Sequence, residues 1–271
     1  MAVPRTAAGL RSVPSAAWLG TMSSPAAAVG SFDALRAEGD RLEEILAGLD
    51  EAQWSAASGA AGWSVTDVVL HLAQSEEAVL ASLAGASLGL RPAAGQALDQ
   101  VMDEWVRAER AAPALVFARW RQARLAAVTA LRAADSDRPL NWVEAPLKPA
   151  TLATTRLAEH WAHGLDITGP LGISFADTDR LRHIAWLAHR SLPYALALAG
   201  QQPAEVRCEL TAPDGLTQWR FGPSEAESAI TGAAGRFCRV AAQRLPSDQA
   251  GLRTTGPHGA AALRVLRTYA A

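Results

Sequence analysis

Residues 151–168 decide the fold: they run TLATTRLAEHWAHGLDIT and carry Glu159-His160-Trp161-Ala162-His163-Gly164-Leu165-Asp166. Thr151 opens a helix that continues to Thr168, where Gly169-Pro170 stops it. Glu159 and His163 are four apart, so their side chains are neighbours on one face, and Asp166 follows three later. Two ligands at this spacing, with a third from another helix, are a common way to hold an ion between the helices of a bundle. Asp166 suits the position behind such a site, fixing the tautomer of a ligating histidine.

The third ligand has to come from a neighbouring helix. Trp63-Ser64-Val65-Thr66-Asp67 combines a hydrophobic residue, a Ser cap and an acidic residue at N3, so a helix starts there and runs to about Ala84, with Gly85 placed to end it. Val65, Val68, Leu72 and Val79 point inward on it, and His71 lies at the edge of that face. Before it, Leu35, Leu42, Ile45, Leu46 and Leu49 recur at helical spacing behind Ser31 as N-cap. Residues 86–98 read as a loop, Val101 to Ala133 as a short and a long helix divided at Pro113, and Asp135 to Pro149 as a Pro-rich crossing loop. A further helix covers Thr178 to about Ala199, with Pro193 inside it as a kink.

After Gln202 the period changes. Val206 to Leu210 and Thr217 to Phe221 alternate around the turn Ala212-Pro213-Asp214-Gly215, which predicts a hairpin. Ser228–Thr231 adds a strand, Ala233–Arg244 a helix, Gly251–Thr255 a strand and Gly259–Tyr269 a last helix. The expected fold is mainly α: an antiparallel four-helix bundle over residues 31–200, then a small α+β domain over 201–271. Residues 1–30, rich in Ala, Ser, Pro and Gly, are expected to be a disordered extension, with a second start at Met22.

Composition narrows the function. A net charge of −2 with Lys and Arg spread along the chain gives no attraction to nucleic acid or to an anionic membrane, and no apolar run approaches the ~18 residues of a spanning helix. Without a secretory signal the expected location is the cytoplasm, as a monomer or homodimer, and the expected partner is a small molecule. Cys208 and Cys238 form no C-x-x-C pair and are read as buried, reduced thiols.

Two stretches carry a family resemblance: Gly62-Trp63-Ser64-Val65-Thr66-Asp67-Val68-Val69-Leu70-His71-Leu72, and Glu159 through Asp166. They resemble the metal-ligand helices of the DinB-like, mycothiol-dependent maleylpyruvate isomerase superfamily. There a Trp precedes a helix whose buried His is the first ligand, and an E-x-x-x-H helix supplies two more. His71, Glu159 and His163 match those positions. Glu209 to Gly215, Trp219 and Phe221-Gly222-Pro223 resemble the C-terminal module of the actinobacterial members, so the resemblance spans about 31–270.

The resemblance implies a divalent metal, with Zn²⁺ the first choice and Ni²⁺ or Fe²⁺ compatible with the same donors. It also implies mycothiol as thiol cosubstrate, activated for S-transfer or for isomerisation of a small electrophilic metabolite. Arg239 and Arg244, on the predicted helix of the C-terminal module, are the candidate catalytic residues, able to pair with a carboxylate or to steady negative charge. His160 points about 100° away from Glu159 and reads as structural, as do His183 and His189. Two further readings stay open: a thiol-independent lyase, hydrolase or cyclase on the same metal, and a non-catalytic small-molecule-binding protein with a structural ion.

Overall fold

The computed structural model describes residues 30–86, 98–143 and 145–268. Apart from Gly30, the expected N-terminal extension lies outside the described residues, as does most of the loop expected over 86–98. Seven helices come first: α1 (Ser31–Ala47), α2 (Glu51–Ser55), α3 (Val65–Leu83), α4 (Leu98–Ala108), α5 (Pro113–Ala133), α6 (Pro149–Thr168) and α7 (Leu181–Leu198). They are followed by β1 (Val206–Thr211), β2 (Gln218–Phe221), β3 (Ser228–Ala233), α8 (Ala234–Ala241), β4 (Arg253–Thr255) and α9 (Gly256–Val265). The molecule is mainly helical with a small C-terminal sheet, as the sequence predicts.

Helix ends follow local chemistry. Ser64 accepts from Asp67 N–H at 3.2 Å while Asp67 Oδ2 accepts from Ser64 N–H at 3.0 Å, the reciprocal box expected at the start of α3. Gly85, in the left-handed region at φ 76°, follows its end. Pro113 and Pro149 each sit in the first turn of a helix, where the missing N–H costs nothing. That moves the start of α6 two residues ahead of Thr151. At α1 the cap is Gly30 and not Ser31, which is already helical and buried. Pro193 is accommodated inside α7 without ending it.

Helices α1, α3, α5 and α6 pack on one another, and α7 lies along α6. Two apolar clusters fill the interior. One gathers Leu42, Val65, Val68, Leu72, Val106, Trp120 and Ile167. The other runs from Leu152, Leu157 and Trp161 of α6 through Leu181, Ile184 and Leu192 of α7 to Cys208, Leu210, Ile230 and Phe237. The second core therefore passes from the helices into the sheet without interruption.

The sheet order is β2-β1-β3-β4. The expected hairpin forms, with Cys208 opposite Phe221 and Leu210 opposite Trp219. β3 then returns on the other side of β1 and runs parallel to it, Cys208 pairing Ile230, while β4 closes the edge antiparallel to β3. Helices α8 and α9 lie against α7. Both cysteines are buried and unbridged, and burial alone pushes the Cys208 thiol up to about 12.

Candidate metal centre and its cavity

Helices α3 and α6 place His71, Glu159 and His163 together. His71 Nε2 lies 3.8 Å and His163 Nε2 3.5 Å from Glu159 Oε2, and one donor atom from each of the three falls within 4.8 Å of the others. The two imidazoles meet edge to face at 5.0 Å between centroids. Both histidines are buried, whereas the Glu159 side chain keeps 29% exposure, so the cluster opens on one side.

That side is a cavity of about 550 Å³. The bundle contributes Trp63, Ser75 and Arg156, the 142–147 segment contributes Trp142 and Leu147, and α7 contributes Tyr194. Trp63 packs at 5.2 Å from the His71 ring and 6.4 Å from the His163 ring. Its indole N–H donates to Asp103 Oδ1 of α4 at 3.0 Å, which fixes the ring over both histidines.

Behind the donors, His163 Nδ1 meets Asp166 Oδ2 at 2.9 Å, leaving Nε2 toward Glu159. Arg244 then closes on Asp166 with two bonds, Nε to Oδ1 at 2.7 Å and Nη2 to Oδ2 at 2.6 Å. Arg244 reaches this position because α8 ends in a Schellman turn: Arg244 N–H donates to Arg239 O and Gln243 N–H to Val240 O. Gln243 takes φ 59°, a left-handed value unusual without glycine, and it is the non-glycine residue that does so among the described residues. The turn aims the following side chain back at α6.

The charges are set by these partners. Burial works against an ionised Glu159, but the adjacent imidazoles of His163 and His71 outweigh it and hold the carboxyl well below its ordinary range. Burial also opposes protonation of His163, yet Asp166 and Glu159 outweigh it and raise its pKa above the ordinary histidine value. For His71 burial prevails, helped by the neighbouring His163, and its pKa falls. Two imidazoles and a carboxylate converging on a cavity, one imidazole fixed by a carboxylate on its other nitrogen, fit a divalent ion such as Zn²⁺. The donors would be His71, Glu159 and His163, with the cavity side left open.

Of the two expected arginines, Arg244 lines the cavity and Arg239 does not. Arg239 is held by Asp177 Oδ2 at 2.9 Å and by Gly235 O, with its guanidinium over Trp161. His160 turns into the bundle: Nδ1 lies 2.9 Å from Arg156 O and Nε2 accepts from Trp120 Nε1–H at 3.2 Å, the pattern of a neutral imidazole. Arg156 was not singled out by the sequence reading. Its place three residues before Glu159, on the same helix face, is the signal that marks it.

Residues 35–168 match the family model described as the mycothiol maleylpyruvate isomerase N-terminal domain. Two uncharacterised proteins, from two strains of Mycobacterium tuberculosis, are each 33% identical over 241 residues, covering 87% of this chain and 93% of theirs. Among solved structures, two crystal structures of the mycothiol-dependent maleylpyruvate isomerase, one of a point mutant, share the fold at TM-scores of 0.57 and 0.56. Each is 16% identical and covers 84% of this chain and 92% of that one.

Proposed function

This chain belongs to the mycothiol maleylpyruvate isomerase family, and from that premise we propose that it is a metal-dependent enzyme using mycothiol to isomerise a small electrophilic metabolite. The observation that supports it most is the convergence of His71, Glu159 and His163 in the wall of one apolar cavity. A divalent ion held by those donors would favour the thiolate of a bound low-molecular-weight thiol at neutral pH, the nucleophile that isomerisation of an electron-poor double bond by reversible addition and elimination would require.

The remaining work falls to the chain's own side chains. Asp166, held by Arg244, keeps the proton of His163 on Nδ1 and its Nε2 available toward Glu159. Trp63 confines both rings, and Trp142, Leu147 and Leu187 line the space where a small substrate displaces water. The nucleophile comes from outside, because Cys208 and Cys238 are buried with their thiols pushed upward.

Metal analysis of the purified protein, combined with a mycothiol titration and His163→Ala as control, tests the proposal. The expected result is about one equivalent of bound metal and thiol binding that the variant loses. Metal without thiol binding would favour thiol-independent lyase, hydrolase or cyclase chemistry. A stable thioether product would favour S-transfer. Metal-free protein with an intact fold would defeat the assignment of the three donors.

A further inference from the structure

On the face of α3 that lines the cavity, His71 is followed by Ser75 and Ala78, at helical spacing. Ser75 is 7% exposed, one turn beyond His71, and among the described residues its hydroxyl has no hydrogen-bond partner. Other hydroxyls of the helices are paired. Thr155 and Ser191, which line the same cavity, donate to the carbonyls of Leu152 and Leu187 at 2.8 and 2.9 Å. Buried Thr154 and Thr168 donate to Ala150 O and Gly164 O, and Ser82, further along α3, donates to Asn141 O. A buried hydroxyl left open costs free energy until something bonds to it, and serine is a poorer helix former than alanine. The stability of α3 therefore gives no reason for Ser75. Its direction is fixed, because the next residue, Glu76, accepts from Arg156 Nε at 2.9 Å and sets the rotation of α3 against α6.

We propose that Ser75 is a specificity-determining residue whose hydroxyl donates a hydrogen bond to the substrate carbonyl oxygen that is conjugated with the reacting double bond. Addition to such a double bond and its reversal move one electron pair onto the carbonyl oxygen and back, with no net gain or loss of a proton. The oxygen is neutral in substrate and product and carries negative charge in between, so a fixed donor binds it most strongly where the barrier lies. An uncharged hydroxyl suits that task, since it holds the neutral carbonyl only weakly. The spacing fits as well: side chains one turn apart have Cβ atoms about 5–6 Å apart, which leaves the carbons next to the held carbonyl beside His71. Trp142, Leu147 and Ala78 in the same wall exclude the water that would otherwise take the hydroxyl. The inference rests on the proposed isomerisation for the identity of the group held; the open hydroxyl in the cavity wall does not depend on it.

Benzylideneacetone is a conjugated enone whose absorption band moves to longer wavelength when its carbonyl accepts a hydrogen bond. It is titrated into the full-length protein beside the alkene of the same carbon skeleton, which has no acceptor, and binding of both is followed by tryptophan fluorescence because Trp63 and Trp142 line the cavity. The expected result is that the wild type binds the enone more tightly than the alkene and shifts its band. Ser75→Ala should bind the enone about three- to tenfold more weakly and lose the band shift, with alkene binding and the urea midpoint undiminished. Ser75→Thr, which restores a hydroxyl, should keep both. Full enone affinity and band shift in Ser75→Ala overturn the proposal, as does a wild type that binds the enone no more tightly than the alkene. So does a shift lost in His163→Ala but kept in Ser75→Ala, which would put the carbonyl on the metal. Metal content and mycothiol binding of the same wild-type sample separate the two ideas. Enone selectivity without thiol binding sinks the proposed reaction and leaves the Ser75 subsite; thiol binding without enone selectivity does the reverse.

Discussion

Asp166 joins two parts of the chain that sequence separates by 78 positions, taking His163 Nδ1 on one oxygen and the Arg244 fork across both. Burial penalises its charge, but His163 and Arg244 outweigh that penalty and keep its pKa below the ordinary carboxylate value. It therefore stays an anion wherever the protein is folded at neutral pH. Asn at this position is nearly isosteric but cannot fix the imidazole tautomer as a carboxylate does. Asp166→Asn is expected to weaken metal binding about 10–100-fold, measured by competition with a chromophoric chelator, with helix content unchanged. Unaltered affinity would mean that Asp166 serves only to anchor Arg244. Arg244 and Arg239 part company in the same way. Both fall on one stretch of sequence, and their separation depends on the left-handed Gln243, which no spacing rule places.

Helix α3 depends on its first turn, and the site depends on α3. Asp67 closes the box with Ser64 and is gripped by Arg110 through two bonds, Nε to Oδ1 at 2.8 Å and Nη2 to Oδ2 at 2.9 Å. His71 is one turn further on, so fraying here reaches a proposed donor. Ser64→Ala is expected to cost about 1 kcal/mol, the usual value of a cap. Asp67→Ala should cost more, about 2 kcal/mol, because it also strips the Arg110 pair from a buried carboxylate position. Urea denaturation compares the two, and an Asp67→Ala cost no larger than that of Ser64→Ala would assign Arg110 no share. Elements of this kind were legible in the sequence because their signals are local: Ser64 with Asp67, Gly85, Pro113, and the hairpin turn at Pro213-Asp214-Gly215. So was the pairing of Glu159 with His163, which helix periodicity alone fixes. What escaped is non-local or too short to show a period. α2 has five residues, held by a box between Asp50 and Gln53, and the parallel return of β3 beside β1 leaves no mark in either strand. That His71 faces α6 came from resemblance, since one helix's spacing says nothing of its neighbour's rotation.

For the molecule as a whole, the boundary drawn near residue 200 is crossed by a continuous core and by several polar ties, Arg244 to Asp166 and Arg239 to Asp177 among them, and His189 supplies another. His189 of α7 has Nε2 at 2.9 Å from the carbonyl of Val206, the first residue of β1, with Phe221 stacked at 6.1 Å and Gly222 packed against both groups. A methyl at Gly222 would stand 2.5 Å from Val206 O and 2.8 Å from His189 Nε2, so this junction admits no side chain there. The neutral imidazole donates its Nε2–H to the carbonyl, and burial lowers the pKa of His189 despite that bond. In the unfolded chain the imidazole titrates near its ordinary value of about 6.5, whereas the folded protein resists the proton until a lower pH. Between those two values the unfolded state binds more protons, so stability falls on acidification, and above about pH 7 His189 contributes no slope. Buried His160, lowered to about 4, acts in the same direction over the same range. His189→Gln keeps an amide donor for Val206 O and cannot take up a proton. Its denaturation midpoint should therefore decline less than that of the wild type between about pH 7.5 and pH 5.5, with the residual slope left to His160 and His71, which act in the same sense, and to His163, which opposes them. Parallel pH profiles of the two proteins would show that His189 takes up its proton in the fold as readily as in the unfolded chain, and so does not tie Val206 as a neutral imidazole.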